Sequence, residues 1–491
     1  MPERATVLSR SEKSAEAVVV AVRGRRAERG RESNRMFLGS AMHQKSGRPE
    51  PKTAEGGEAA GHRRGGEARP AGHGERDSGR ASLLTQALGR DNLRKAWQRV
   101  QRNGGSAGVD GRSVAETKVY LREHWPRIRE ALQSGTYRPS PVRRVVIPKA
   151  GGGERELGIP TVVDRLIQQA LLQILQPLID PTFSNHSYGF RPGRRAHDAI
   201  MQAQAHIEAG YRIVVDVDLE KFFDRVNHDV LMDRLSKRID DHAVLRLIRR
   251  YLEAGMMADG VAMTRHEGTP QGGPMSPLLA NVLLDDVDRA LERRGHRFVR
   301  YADDCNVYVR SRAAGARVLA ALHRLYGRLR LRINAAKSAV ASVFERSFLG
   351  YAFGRLPDAG VKRKVAPKAL ERLKDRLRQL TRRTCGRSIE QVVETLRSYL
   401  LGWKGYFRLA RMPFVFRELD QWLRHRLRQL HLVQWKRGRT AYRKLIELGA
   451  KPVVAGTIAA HTRRWWRNSA MLLNGVLTVA YFDRLGLPRL S

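Results

Sequence analysis

Two stretches of this chain have the apolar pattern of strands, and each ends in acids. Phe298-Val299-Arg300-Tyr301 and Cys305-Asn306-Val307-Tyr308-Val309 flank Ala302-Asp303-Asp304. Two β-prone runs on either side of an acidic pair predict strand–turn–strand, with Asp303 and Asp304 at the tip. Upstream, Arg212–Val217 reads as a buried strand that delivers Asp216 and Asp218, then enters a helix through Leu219-Glu220-Lys221-Phe222-Phe223-Asp224. Period two puts Asp216 and Asp218 on one face of that strand. Val142–Pro148 and Arg155–Thr161 predict a hairpin across Gly151-Gly152-Gly153. Helical spacing marks Asn92–Val100 and Asp164–Leu172, and a helix is expected from Leu278 after the Gly- and Pro-rich loop Gly268–Pro277. From Ala366 the pattern turns helical and basic. Leu370, Leu373, Leu377 and Leu380 share one face, Arg and Lys take the other, and a further helix covers Leu423–Leu432.

Residues 1–80 break this pattern. From Gly47 to Gly79 the chain is rich in Gly, Glu, Arg and Ala, with almost no large apolar residue. Such a stretch buries too little surface to offset its ordering entropy, so disorder is expected. Globular sequence starts near Leu83. The 491 residues suffice for two to four domains.

Charge changes the picture more than length does. The net charge of +42 makes a polyanion the expected partner, nucleic acid ahead of a membrane surface. Residues 361–491 carry 30 basic against 8 acidic side chains, about half of the whole excess. That concentration fits an RNA- or DNA-binding surface at one end of the chain. Cys305 and Cys385 are the only cysteines, which excludes a disulfide scaffold and a Cys-pair zinc site within the chain and suits a reducing cytosol. No apolar run reaches the length of a membrane span.

The acids carry the candidate chemistry. Adjacent carboxylates repel each other, and divalent cations relieve the repulsion; Mg²⁺ takes carboxylate together with phosphate oxygens. An Asp-Asp pair by itself is also what an ordinary turn contains. A strand that brings a further carboxylate beside the hairpin is the arrangement for two-metal phosphoryl transfer.

Tyr301-Ala302-Asp303-Asp304 and Asp218-Leu219-Glu220-Lys221-Phe222-Phe223-Asp224 resemble the catalytic hairpin and first metal-binding block of the reverse transcriptases encoded in bacterial group II introns, which double as splicing maturases. The resemblance runs in order from about Asn92 to the C-terminus. It implies an α+β right-hand polymerase of fingers and palm, with a helical thumb (maturase) domain and a basic C-terminal module. It implies two Mg²⁺ ions, with Mn²⁺ as a substitute, on Asp218, Asp303 and Asp304 and on Leu219 beside them. Asp218 is preferred over Asp216 because the family has an aromatic five residues after its metal-binding Asp, here Phe223. Phe223 would lie under the sugar and exclude a 2′-hydroxyl. Asp216, Asp224 and His228 are then structural, capping or solvent-facing. Lys149 and Arg155 resemble the fingers cations that grip the incoming triphosphate, and Gln271 the residue near the incoming nucleotide. Lys337 resembles the lysine near the triphosphate, either as a proton donor to pyrophosphate or as a surface lysine. Tyr188 and Arg191 match the template-side loop, the aromatics open to core packing instead. Asn103–Gly111 is either a phosphate cradle or a connector. Phe348-Leu349-Gly350-Tyr351 looks like the primer-grip turn. Lys404, Arg408, Arg463, Arg464 and Arg467 are candidate nucleic-acid contacts.

The expected organisation is residues 1–80 as an extension, 81–210 as N-terminal block and fingers, 211–360 as palm, 361–436 as thumb, and 437–491 as a DNA-binding-like region. Translation of residues 1–80 from a start codon placed too early, with Met36 or later as the true start, is a further expectation. The implied partners are the group II intron RNA, an RNA template with a DNA primer, target DNA and deoxynucleoside triphosphates, with a homodimer left open and no membrane. The implied place is the cytoplasm, on nucleoid or ribonucleoprotein. The His-Asn-His endonuclease of some relatives, with its Cys pairs, is not seen, so priming from an existing 3′ end is expected. A catalytically silent RNA-binding maturase and a relative recruited to phage defence or CRISPR spacer acquisition are the alternatives.

Overall fold

The computed structural model of the chain describes residues 81–148, 154–258, 261–263, 267–269, 272–357, 360–384, 386–462 and 465–491. The expectations for residues 1–80 fall outside them. Three sheets are present among the described residues. The first has strand order β2-β1-β4-β5, from β1 (Val142–Pro148), β2 (Glu154–Ile159), β4 (Met256–Ala258) and β5 (Val261–Met263). The second, order β6-β7-β3-β8, uses β3 (Ile213–Val217), β6 (Arg297–Tyr301), β7 (Asp304–Val309) and β8 (Ala339–Ser342). The third, order β11-β10-β9, uses β9 (Ser347–Phe348), β10 (Tyr351–Arg355) and β11 (Val361–Val365).

The second sheet is the palm, and period two explains its nearly unbroken apolar runs. Val215, Val217, Phe298 and Val307 enter one core with Leu279, Leu283 and Leu284 of the helix Ser276–Arg293. Their strand neighbours Val214, Val299 and Tyr308 enter a second core with Ile200, Ala203 and Ile207 of the helix Ala196–Glu208. A sheet covered on both faces needs apolar side chains at odd and even positions alike.

The fingers hairpin of β1 and β2 is antiparallel, pairing Val146 with Glu156 and Ile147 with Arg155. Its base rests on a buried hub. Asp164 accepts hydrogen bonds from Tyr137 Oη at 2.8 Å, Thr161 Oγ1 at 2.6 Å, Tyr251 Oη at 3.2 Å and Ser140 N at 3.2 Å. Burial pushes the Asp164 carboxyl above its ordinary range, against the pull of these donors.

Two local expectations are corrected. The segment after β3 turns through a 3₁₀ stretch at Phe222–Arg225, and the α-helix starts only at His228, capped by Asn227. Leu219 is tied to Ile333, and Glu220 N donates to Arg332 O, so the chain must turn sharply before a helix can begin. The boundary at 361 also moves. β11 pairs with β10 from Tyr351↔Val365 to Arg355↔Val361, so Val361–Val365 belongs to a sheet and the thumb starts at Pro367.

The thumb is three helices, Pro367–Leu380, Ile389–Tyr406 and Pro413–Trp435. Leu373 and Leu377 are fully buried, with Leu370 and Leu380 packed partly against them, as the leucine spacing predicts. Tyr406 joins thumb to palm: its hydroxyl donates to Leu349 O at 2.8 Å in the primer-grip-like turn, and Tyr351 Oη donates to its carbonyl.

His431 of the last thumb helix is buried against Trp435, Tyr481 and Phe482, with Nε2 3.2 Å from Tyr481 Oη. Burial pulls its pKa down to about 4. An unfolded histidine titrates near ~6.5, so between these values the unfolded chain binds a proton that the folded chain refuses, and stability falls as pH drops through that window, by at most about 3 kcal/mol. Denaturant unfolding at pH 7 and pH 4.5 should show a loss that is smaller in His431→Gln by roughly 1–3 kcal/mol. Equal losses in the two proteins would refute this assignment.

Candidate active site

β6 and β7 form the predicted hairpin. Its turn is Ala302–Asp303, with Tyr301 paired to Asp304. β3 lies antiparallel to β7, pairing Val217 with Cys305. Carried one residue further, that register sets Asp218 beside Asp304. The three sequence-predicted carboxylates therefore converge on adjoining strand ends, and all three residues are half-buried.

One loop fixes the first of them. Asp218 N donates to Ser338 Oγ at 3.0 Å, and Asn334 N donates to Asp218 O at 2.9 Å. Lys337 Nζ stands 3.5 Å from Asp218 Oδ2. Asp216 has a different partner: Arg346 Nη2 lies 2.6 Å from its Oδ2, and Arg346 also donates to Lys337 O at 2.5 Å. Asp216 thus anchors the loop that carries Lys337, which fits a structural role. The Leu219 side chain is buried, so only its main chain can serve the site.

Among the described residues, no group of three or more His, Cys, Asp or Glu side chains is gathered closely enough to hold a metal ion by itself. An open set of carboxylate oxygens is what Mg²⁺ uses when waters and substrate phosphates complete its shell, so the donor chemistry fits that ion. Phe223 is buried in the first core, edge-on to Phe222 with ring centroids 5.0 Å apart. Its carbonyl accepts from Thr269 N at 2.8 Å. Gly268 has φ +95°, and a Cβ there would stand 3.1 Å from Phe223 O, so the main chain at Gly268 can lie this close only with glycine. His228 is buried with Nε2 2.8 Å from Gly268 O, which makes it part of the same support.

The remaining predicted residues divide. Lys149, Gln271, Arg463 and Arg464 lie outside the described residues, as does the Arg155 side chain, whose main chain sits in β2 opposite Ile147. Arg191, expected at a nucleic-acid phosphate, is corrected. It is buried and ion-paired to Asp180 at 3.0 Å, and it donates to Ser184 O and Ser187 O, so its donors serve the loop itself. Tyr188 is also a core residue: it is buried in the second core, and its N–H donates to Arg300 O at 2.9 Å. Lys404, Arg408 and Arg467 are exposed, with Lys404 Nζ 2.9 Å from Arg489 O.

Sequence reasoning missed what lies beneath the hairpin. Arg300 is wholly buried and forms a two-pronged pair with Asp288, Nε to Oδ1 at 2.8 Å and Nη2 to Oδ2 at 2.6 Å. Its Nη1 donates to Asn281 Oδ1 and to Ala302 O, both at 2.9 Å. Asn281, Asp285 and Asp288 form a buried polar seam on the helix Ser276–Arg293. The signal was available: three polar residues at spacings of four and three, on one face of a helix, and one arginine inside an apolar strand.

Two family comparisons agree with this geometry. Residues 147–353 match the reverse transcriptase (RNA-dependent DNA polymerase) family, and residues 370–446 match the group II intron maturase-specific domain. Among curated proteins, YkfC of Escherichia coli is 39% identical over 191 residues, covering 38% of this chain and 50% of that protein. The group II intron-encoded protein LtrA of Lactococcus lactis is 35% identical over 206 residues, 42% of this chain and 34% of LtrA. Each match thus spans half or less of the relative's own length. Among solved structures, the telomerase of Candida albicans is a distant likeness, at a TM-score of 0.38 and 12% identity over 75% of this chain and 70% of that one. With its acids at the tip of a hairpin inside the reverse-transcriptase match and a maturase-specific segment directly behind it, this chain is similar over residues 147–353 and 370–446 to the group II intron reverse transcriptases.

Proposed function

We propose that the chain is an RNA-directed DNA polymerase that also binds its own intron RNA, assists splicing and copies the intron into target DNA by target-primed synthesis. The observation that carries the reading is the register that brings Asp218 of one strand end beside Asp303 and Asp304 of the hairpin. Asp218, Asp303 and Asp304, with the Leu219 main chain, would hold two Mg²⁺ ions, Mn²⁺ substituting. When bound, such ions activate the primer 3′-hydroxyl and take up charge on the departing pyrophosphate.

The chain's own residues supply the rest. Lys337, beside Asp218, brings a cation and a proton to the triphosphate side of the site. Phe223, packed between Phe222 and the Gly268 loop, is a rigid floor that excludes a ribose 2′-hydroxyl. Lys149, Arg155 and Gln271 bind the incoming nucleotide. Exposed cations of the thumb and C-terminal helices, Arg408 and Arg467 among them, track phosphates of intron RNA, template–primer duplex and target DNA. The protein works in the cytoplasm on ribonucleoprotein and nucleoid.

Primer extension on an RNA template with deoxynucleoside triphosphates and Mg²⁺ tests this reading. Asp303→Ala should lose about a thousand-fold or more in kcat while RNA affinity stays within about twofold. Tight RNA binding by the wild type with no extension across salt and Mg²⁺ ranges would favour the splicing-only reading instead. Lys337→Ala should lower kcat by roughly a hundred-fold, since the proton donor is gone. An unchanged rate would make Lys337 a surface lysine.

A further inference from the structure

The turn that carries Asp303 is held in a conformation that its sequence disfavours. Ala302 has φ +57° and is buried, in the region where a Cβ crowds the main chain. Two contacts hold it there. From beneath, Arg300 Nη1 donates to Ala302 O at 2.9 Å. From the side, the Gly189 main chain runs so close that a Cβ on it would overlap Ala302 N. Asn281 joins the two supports, accepting from Arg300 Nη1 and donating through Nδ2 to Gly189 O at 2.9 Å.

Stability alone does not account for a charged pair in this place. A buried ion pair stabilises no better than apolar side chains of the same volume. What arginine adds is a rigid fork with donors in fixed directions. Here one edge of the fork is fixed on Asp288, which leaves Nη1 aimed at the turn carbonyl. Burial penalises the Arg300 cation, but the adjoining Asp288 carboxylate outweighs that penalty, so the group stays charged.

We propose that Arg300, anchored on Asp288 and Asn281, is a positioning residue that holds the Ala302–Asp303 turn, so that the carboxylates of Asp303 and Asp304 are preset for divalent cations. The inference rests on the polymerase reading of the site. Arg300 touches neither substrate nor metal and acts through the turn.

The test uses the full chain and two readouts, Mn²⁺ affinity by electron paramagnetic resonance and the kcat and KM of primer extension, with thermal unfolding as the control. Arg300→Lys keeps a cation for Asp288 but cannot also reach Ala302 O and Asn281. It should fold, bind Mn²⁺ about tenfold or more weakly, and lose about thirtyfold in kcat with KM for the nucleotide nearly unchanged. If Arg300→Lys fails to fold, the double variant D288L/R300M, apolar and of similar volume, decides on the same readouts. Gly189→Ala presses on the turn from the other side and should weaken Mn²⁺ binding without touching the ion pair. A folded Arg300 variant with wild-type Mn²⁺ affinity and kcat would overturn the proposal. Wild-type protein that binds Mn²⁺ in an Asp303-dependent way yet extends no primer would sink the polymerase reading alone, since the Mn²⁺ comparison still decides the role of Arg300.

Discussion

Like charges brought to adjoining strand ends repel, by ~1 kcal/mol per pair at 4 Å in water and several times that where the effective dielectric is lower. Asp218, Asp303 and Asp304 meet under that constraint, and the architecture around them answers it with structure on every side. The Asp218 main chain is tied to Ser338 and Asn334 in both directions, and Lys337 stands over its carboxylate. Arg346 bonds Asp216 to the same loop. Arg300 and Gly189 hold the turn before Asp304. Lys337 apart, each tie is made by residues that have no chemistry of their own to perform.

Those ties are effective because the sheet that carries them is stiff. Its two faces are buried in separate cores, one built from the helices Ser276–Arg293 and Arg312–Arg328, the other from the helix Ala196–Glu208 and the thumb. Close-packed interiors transmit strain, so a displaced thumb is felt at the palm through Tyr406, Leu349 and Tyr351. The reverse-transcriptase-like and maturase-specific segments are therefore bonded to each other as well as adjacent in sequence.

Periodicity made much of this legible. The β6–β7 hairpin, β3, the fingers hairpin, the amphipathic thumb helix and the convergence of three Asp residues all followed from local pattern and from matching blocks. What stayed hidden was the identity of partners. An arginine in a loop next to aromatics reads equally as a phosphate contact or as a structural cation, and only the position of Asp180 settles Arg191 as the latter. A charged residue inside a strand, Arg300, is legible only once the helix that supplies Asp288 is docked beneath it. The 3₁₀ turn at Phe222–Arg225 is imposed by the distant segment Arg332–Asn334, which no local window contains. Val361–Val365, placed with the thumb by the expected boundary at 361, is a strand because β10 pairs with it.

The same distinction bears on the basic C-terminal quarter. Its surplus of arginine and lysine suggests a nucleic-acid surface, but composition counts buried and exposed cations alike. Arg424 and Arg428 lie inside the helix Pro413–Trp435 packing; Arg428 Nε donates to Leu477 O at 2.9 Å, and burial pulls its pKa down to about 10. Arg426 Nε donates to Thr381 Oγ1 at 2.7 Å. Arg428 joins the thumb to the helices behind it, Arg426 ties the last thumb helix to the first, and Arg424 is ion-paired with Asp420 and Asp483. Exposed cations such as Arg408 and Arg467 are the ones that can displace counterions from a polyanion. A field that would attract a polyanion and the bonds that hold the thumb together thus come from the same residue type. It is the planar guanidinium, able to satisfy buried carbonyls and phosphates equally, that lets one basic segment do both.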